Sequence, residues 1–261
     1  MTKTKTLLLA GSLVLVLTGA SVAVKLIFFP SVPDKFFQAR NAAALQHAPP
    51  GLVIVRPTHF PKPPANSTSA ALVKGTLWMV GRNMTFQMLM ATAYSYNPER
   101  IVLPTGAPTQ NFDFLVTTAG DPREHLQSAI RKKLGFTAGK EIRDVPVFVL
   151  KVVNPNSDGL KISRDDEKQN SEVKNGRLYD THMKLSVVTD EVTRILKMPV
   201  VDKTGLTNFY DFSLAWDAKT SQAIQSGTLD METGKKILAE WGLGLESDTA
   251  PLEMLVVKKA R

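Results

Sequence analysis

Residues 104–116 read PTGAPTQNFDFLV, and residues 203–216 read KTGLTNFYDFSLAW. Each stretch contains a Thr-Gly pair followed by an aromatic-rich run around one aspartate. The Thr-Gly pairs are 99 positions apart, and Asp113 and Asp211 are 98 positions apart. Self-similarity at a nearly constant spacing is the sequence signature of repeated structural units. We therefore predict that the chain contains an internal duplication.

The similarity continues after each of these stretches. The matching segments are 125–136 (HLQSAIRKKLGF) with 235–245 (KKILAEWGLGL), and 145–153 (VPVFVLKVV) with 250–258 (APLEMLVVK). The first pair predicts helices that stop at Gly135 and Gly244, because glycine after an apolar residue commonly ends a helix. The second pair is β-prone and nearly uniformly apolar. We expect two hairpins, whose second strands open with Pro146 and Pro251.

A helix is also predicted in front of each unit. Residues 84–96 (MTFQMLMATAYSY) follow Asn83 as a helix cap. Residues 186–197 (SVVTDEVTRILK) place Val188, Val192 and Ile195 on one face. Both units therefore read helix, short strand, Thr-Gly turn, strand, helix and hairpin. This order predicts an α+β fold, with an antiparallel or mixed sheet that carries helices on one face.

The N-terminal segment predicts export or membrane insertion. Lys3 and Lys5 precede a run that is apolar from Leu7 to Phe29 apart from Lys25. As a helix this run spans roughly 35 Å, enough to cross a hydrocarbon core of about 30 Å. We favour an uncleaved single-pass anchor with the C-terminal part extracytoplasmic, in the periplasm. Cleavage and secretion is the alternative, with small residues such as Ala23 at the cut.

These features divide the chain into five segments. They are 1–30 (membrane anchor or signal), 31–70 (near-membrane helix, short strand and Pro-rich linker), 71–153 (first repeat unit), 154–183 (polar connector) and 184–261 (second repeat unit). Within the second segment, residues 34–47 predict an amphipathic helix, and the prolines of residues 56–70 predict an extended surface linker. The folded body is then expected to begin near Ala71.

Composition excludes several classes of protein. The chain has 261 residues, 43% of them apolar, a formal net charge of +8 and no cysteine. Such a chain is globular, and it has neither disulfides nor thiolate ligands. Its four histidines lack metal-ligand spacing, so we predict no metal and no cofactor. We expect no nucleic-acid partner, because basic residues are not interleaved with aromatic residues in the manner of RNA-binding segments.

The second unit resembles a known family. PVVDKTGLTNFYDFSLAW (199–216) and GLGLESDTAPLEMLVVKK (242–259) are similar to the closing signature of domain-of-unknown-function family 3738, exported proteins of Acidobacteria and Verrucomicrobia. NMTFQMLMATAY in the first unit is similar to the family's helix ending in Ala-Tyr, and the resemblance covers about residues 77–259. The family often has Gly-Arg where this chain has Asn208-Phe209, so no basic residue carries over there. The resemblance implies location and architecture but no reaction.

The family motif supplies the candidate binding residues, which are Asp202, Lys203, Thr204, Gly205, Tyr210 and Asp211. Lys203-Thr204-Gly205 also looks like the Lys-Thr-Gly element of penicillin-recognising serine enzymes. Those enzymes require Ser-x-x-Lys before Ser-x-Asn, and the letter matches at Ser171 and Ser95 occur in the opposite order. A turn between strands is the favoured interpretation, with Gly205 supplying a positive φ. No catalytic residue is predicted.

Three functions follow from these patterns. The favoured hypothesis is a membrane-anchored extracytoplasmic protein that acts as a non-catalytic binding or assembly module, with an envelope protein or cell-wall glycan as partner. The first alternative is a cell-envelope hydrolase or peptidoglycan-related enzyme. The second alternative is an extracytoplasmic sensor, which the resemblance suggests because some family members are fused to membrane metallopeptidases that look like β-lactam sensors.

Overall fold

A computed structural model describes residues 33–37, 42–62, 65–164, 166, 168–215, 217–226 and 229–260. The predicted membrane segment from Leu7 to Phe29 lies outside these ranges. Across the described ranges, no helix has both the length and the apolar character needed to cross a bilayer. The described chain has an α+β fold with mostly antiparallel sheets, as the sequence predicted.

Strands outnumber helices in the described chain. The strands are β1 (Val53–Pro57), β2 (Ser67–Val73), β3 (Thr76–Met84), β4 (Ile101–Val102), β5 (Phe112–Val116), β6 (Phe136–Val152), β7 (Leu160–Ile162), β8 (Asn170–Lys174), β9 (Arg177–Lys184), β10 (Val200–Asp202), β11 (Phe209–Ala215) and β12 (Leu243–Lys259). The helices are α1 (Phe86–Tyr94), α2 (Pro122–Leu134), α3 (Leu185–Leu196), α4 (Ala218–Ser226) and α5 (Met231–Glu240). Short 3-10 helices occur at Asp34–Phe37, Ala42–His47 and Pro98–Arg100.

The chain divides into two compact units. Unit 1 comprises the described parts of Met1–Pro98, Leu103–Ala138 and Val257–Arg261, and unit 2 comprises those of Glu99–Val102 and Gly139–Val256. Each unit contains a four-stranded antiparallel sheet, in the order β1-β5-β3-β2 in unit 1 and β7-β11-β9-β8 in unit 2. A third sheet has the order β10-β6-β12-β4, in which both short outer strands run parallel to their long neighbours.

The core of unit 1 begins before the predicted boundary at Ala71. Phe37 and Leu45, from the two N-terminal 3-10 helices, pack with Ile54, Val80 and Leu115 of the sheet and are at most 1% exposed. Within the helix predicted over residues 34–47, the described residues form 3-10 helices at Asp34–Phe37 and Ala42–His47. The predicted linker over residues 56–70 is also wrong at both ends, since β1 extends to Pro57 and β2 begins at Ser67.

The predicted polar connector, residues 154–183, contains β7, β8 and most of β9. The reason it resembled a loop is its exposure: every residue of β8 is exposed, as are two of the three residues of β7. A strand that is exposed on both faces lacks the alternation of buried apolar and exposed polar residues by which a half-buried strand is recognised.

The two predicted C-terminal hairpins are single strands of 17 residues each, β6 and β12. Pro146 and Pro251 lie inside them, where proline cannot donate a ladder hydrogen bond. The parallel pairing of each long strand begins after its proline: β10 pairs with β6 from Phe148 onward, and β4 pairs with β12 from Leu255 onward. No hydrogen bond to β10 or β4 therefore requires a proline N–H.

Two predicted helix boundaries also differ from the structure. The cap of α1 is Thr85, whose hydroxyl accepts a hydrogen bond from the Met88 N–H, whereas Asn83 lies in β3 with a φ of 53°. The positive φ that follows α5 belongs to Gly242 (72°), and Gly244 lies within β12. The Leu-Gly letters alone placed this stop two residues late.

Candidate functional site

Unit 2 contains a cavity of about 240 Å³ between the sheet β7-β11-β9-β8 and the helices α3 and α5. We call it the unit 2 cavity. Its walls are apolar except for two carboxylates, Asp180 and Glu191. Ligand sites are typically concave and apolar with a few placed polar groups, so this cavity is the candidate functional site.

Helix α3 forms one wall because its apolar residues recur every three or four positions. Val188, Val192 and Ile195 all line the cavity, and a helix with this spacing presents them on one face. The spacing in the sequence predicted this apolar face. The periodicity alone does not reveal whether the space opposite the face is filled.

Helix α5 forms a second wall, and a glycine in it preserves the open space. Asp230 caps this helix by accepting a hydrogen bond from the Thr233 N–H at 2.9 Å. Gly234 then lines the cavity, together with Ile237 and Leu238. A Cβ built at Gly234 would lie 3.8 Å from a Leu229 methyl carbon, an ordinary van der Waals contact. A methyl group therefore fits at this position, and its absence enlarges the cavity.

Trp241 is held in place at the cavity by two contacts. Its indole N–H donates a 2.8 Å hydrogen bond to the Ser213 carbonyl oxygen. Its ring also meets Phe212 edge-on, with centroids 5.1 Å apart. A buried tryptophan usually finds a partner for its N–H, and these two contacts fix the orientation of the Trp241 ring in the wall.

The two carboxylates of the cavity differ in their surroundings. Glu191 accepts hydrogen bonds from Arg194, which raise the pKa of that guanidinium against the opposing effect of burial. Asp180, on β9, is half-buried. No described residue donates a hydrogen bond to its carboxylate or forms an ion pair with it. Asp180 is thus the polar group of the wall that a ligand can engage.

The helices of unit 1 have a tightly buried core. Helices α1 and α2 pack against each other there. Phe86, Leu89, Met90, Leu126 and Ile130 are at most 2% exposed. The Phe86 ring lies 5.0 Å from that of Phe136 and 6.2 Å from that of Phe112. Aromatic side chains therefore contribute to the helix packing of unit 1.

Four of the predicted site residues form one turn. The Asp202 carboxylate accepts hydrogen bonds from the Thr204 N–H at 2.8 Å and from its hydroxyl at 2.7 Å. Gly205 has a φ of 71°, as a turn requires. Lys203 is exposed, with its Nζ 3.9 Å from an Asp248 carboxylate oxygen. These contacts make an Asx turn, which is the structural role that the sequence favoured.

The other two predicted residues lie in β11. Tyr210 is 5% exposed, and Asp211 is half-buried. One oxygen of Asp211 accepts hydrogen bonds from the Ser163 hydroxyl at 2.5 Å and the His182 N–H at 3.0 Å. None of the six motif residues lines the unit 2 cavity. Sequence reasoning therefore missed the cavity, although Gly234 inside an amphipathic helix was a readable signal.

Asp113 of unit 1 has a similar set of donors. Its Oδ1 accepts from the Thr58 hydroxyl at 2.7 Å and the Asn83 N–H at 2.9 Å, and its Oδ2 accepts from the His59 N–H at 3.0 Å. The Arg56 guanidinium adds an ion pair, with Nε 3.5 Å from Oδ2. Both aspartates thus tie neighbouring strands together.

Among the residues that the structure describes, no group of three histidine, aspartate or glutamate side chains could hold a metal ion.

A family model described as "Protein of unknown function (DUF3738)" matches residues 87–260. The chain belongs to this family. The match spans both the unit 2 cavity and the Asp202 turn, and it confirms the family that the sequence motifs indicated. No curated protein and no solved structure matched the chain.

Proposed function

We propose that the protein is a membrane-anchored extracytoplasmic binding module whose unit 2 cavity accepts the apolar part of a ligand. The unit 2 cavity is the observation that carries this proposal. Unfilled space between apolar walls forfeits the dispersion contacts that close packing gives, at a cost that grows with its volume. An apolar occupant restores those contacts. An apolar cavity of about 150 Å³ holds benzene, so one of this size takes about ten non-hydrogen atoms.

The proposed location rests on the N-terminal sequence. Lys3 and Lys5, followed by the apolar run from Leu7 to Phe29, have the length and charge pattern of an uncleaved anchor. The folded units would then sit outside the cytoplasm, where they meet ligands of the cell envelope.

An internal duplication is part of the proposal. Support comes from the strand orders β1-β5-β3-β2 and β7-β11-β9-β8, which match element for element along the chain. It also comes from Asp113 and Asp211, each of which accepts hydrogen bonds from a hydroxyl and from the N–H of a residue with positive φ. If the units arose by duplication, the space between helices and sheet in unit 2 accepts a ligand where core side chains would otherwise pack.

A non-catalytic role is favoured over the hydrolase alternative. The Thr204 hydroxyl, which would contact a substrate in a penicillin-recognising enzyme, donates to Asp202 instead. Ser171, the serine of the Ser-x-x-Lys match, lies on β8, where every residue is exposed. We expect a serine-reactive β-lactam probe to leave the protein unlabelled, and stoichiometric labelling of Ser171 or Ser95 would revive the enzyme hypothesis.

The binding proposal is tested by photolabelling the full-length chain in intact cells with a diazirine analogue of 1-octanol. Mass spectrometry should find the label on α3 and α5. The variant Gly234→Leu places a side chain in the cavity and should lose this labelling. Ala239→Leu is the matched control, because Ala239 is an exposed residue of the same helix that does not line the cavity. Labelling that is equal in the two variants, or absent from both helices, would contradict the proposal.

A further inference from the structure

The charges of the unit 2 cavity restrict the ligand further, and this inference rests on the proposed function. Of the residues that line the cavity, Asp180 and Glu191 carry ionisable acids, and none carries a basic side chain. The chain as a whole has a net charge of +8. The cavity wall is therefore locally acidic in a basic protein.

Asp180 is well placed to contact an occupant. It lies opposite Phe212 in the β9–β11 register, and Phe212 is itself part of the cavity wall. Leu178, two residues earlier on β9, also lines the cavity, as expected for side chains that share one face of a strand. Asp180 thus belongs to the otherwise apolar wall, and its carboxylate has no partner among the described residues.

A neutral occupant would displace water from this carboxylate without replacing its hydrogen bonds, which is costly. A carboxylate occupant would add like-charge repulsion. A cationic nitrogen would instead donate a charge-assisted hydrogen bond, which is shorter and stronger than a neutral one. Glu191 is already bonded to Arg194, so Asp180 is the acid left to receive that donor.

We infer that the unit 2 cavity binds an alkyl amine, with the apolar chain between α3 and α5 and the ammonium group at Asp180. Its volume corresponds to about ten non-hydrogen atoms, which suits a chain of the length of octylamine. Binding of this kind is reversible and includes no covalent step.

The test compares diazirine analogues of octylamine, 1-octanol and octanoate on the full-length chain in intact cells. These probes share one chain length and differ in charge, so their relative labelling of α3 and α5 isolates the electrostatic contribution. We expect the amine to label about tenfold more efficiently than the alcohol, which corresponds to one well-placed ion pair. Octanoate should label least.

The variant Asp180→Asn should abolish the preference for the amine while octanol labelling is retained or rises, because the desolvated carboxylate is gone. Retained octanol labelling also shows that the variant is folded. Asp190→Asn is the matched control, since Asp190 is an exposed acid of α3 outside the cavity wall, and it should keep the preference. Equal labelling by amine and alcohol, or a preference that survives Asp180→Asn, would overturn the amine inference alone. Failure of all three probes to label the cavity would overturn the proposed function as well.

Discussion

Replacing Asp113 by asparagine should destabilise unit 1 far more than the same change at Asp211 destabilises unit 2. Asp113 is completely buried, and donors surround both of its oxygens. An asparagine can keep its oxygen toward Thr58 and Asn83. Its amide nitrogen then faces the His59 N–H and the Arg56 guanidinium, which are themselves donors.

The expected cost follows from these contacts. An unsatisfied buried donor costs about 1–3 kcal/mol, and breaking a buried ion pair costs about 3–5 kcal/mol. Arg56 keeps a second partner, because its Nη2 donates to the Asp34 carboxylate at 2.6 Å. The ion-pair cost is therefore only partly incurred, and we expect Asp113→Asn to lower the free energy of unfolding by about 3 kcal/mol.

Asp211 provides the matched control. Both of its hydrogen bonds, from Ser163 and His182, end on the same oxygen, and no described residue bonds the other. An asparagine can reproduce both bonds with its single oxygen. Asp211→Asn should then cost about 1 kcal/mol or less, the difference between a charged and a neutral acceptor.

Pulse proteolysis of the full-length chain across a urea series measures both variants. The sites of cleavage identify which unit has opened, so the two units are scored separately. The account predicts an early unfolding midpoint for unit 1 in Asp113→Asn and nearly unchanged midpoints in Asp211→Asn. Equal shifts in the two variants would refute the reasoning that the number of accepting oxygens determines the cost.

Three further predictions concern single positions. Gly234→Ala should stabilise unit 2 by about 0.5–1 kcal/mol, because alanine is the better helix former and its methyl has space; a lowered urea midpoint would contradict this. Gly242→Ala should lower the free energy of unfolding by about 3 kcal/mol, because the new Cβ would lie 2.0 Å from the Asn154 carbonyl oxygen. Gly135→Ala is the comparison: Gly135 has a similar φ but open space around it, so the loss should be only about 1 kcal/mol. Burial tends to raise the pKa of the Asp34 carboxyl, but hydrogen bonds and charges from neighbouring cations outweigh it and hold the pKa below 3.8. The stability that Asp34 contributes is therefore fully present above pH 3.8 and is lost as the pH falls through the lower pKa of the folded state. In the variant Asp34→Asn, the free energy of unfolding should fall less steeply as the pH is lowered through this range.

The elements with strong local signals were predictable from the sequence. The apolar periodicity of α3 and the Asp202 turn each follow from a few neighbouring residues. The α+β class followed from the order of such elements. Local chemistry decides these features, so no knowledge of distant partners was needed.

Features that depend on distant contacts were missed. Arg56 lies next to a proline-rich stretch, so the sequence placed it in a linker. It is only 5% exposed, because ion pairs with Asp113 and Asp34 compensate for its burial. The strand β8 was hidden because none of its side chains is buried. It pairs with β9 through backbone hydrogen bonds, and these do not produce a recognisable pattern of side chains in the sequence.

The unit 2 cavity also depends on contacts between residues that are distant in the sequence. Its walls are ordinary apolar faces, and only their assembly leaves space between them. Gly234 is the single local sign, since glycine in a helix interior is destabilising unless close packing or function favours it.

The most direct measurement of the central claim is an anomalous-scattering map of crystals of the full-length protein grown with 8-bromo-1-octanol. The account predicts a bromine peak inside the unit 2 cavity, between α3 and α5, that disappears in crystals of Gly234→Leu and persists in Ala239→Leu. A map with bromine only at the exposed surface, or with a cavity peak that remains in Gly234→Leu, would contradict the claim that this cavity is the binding site.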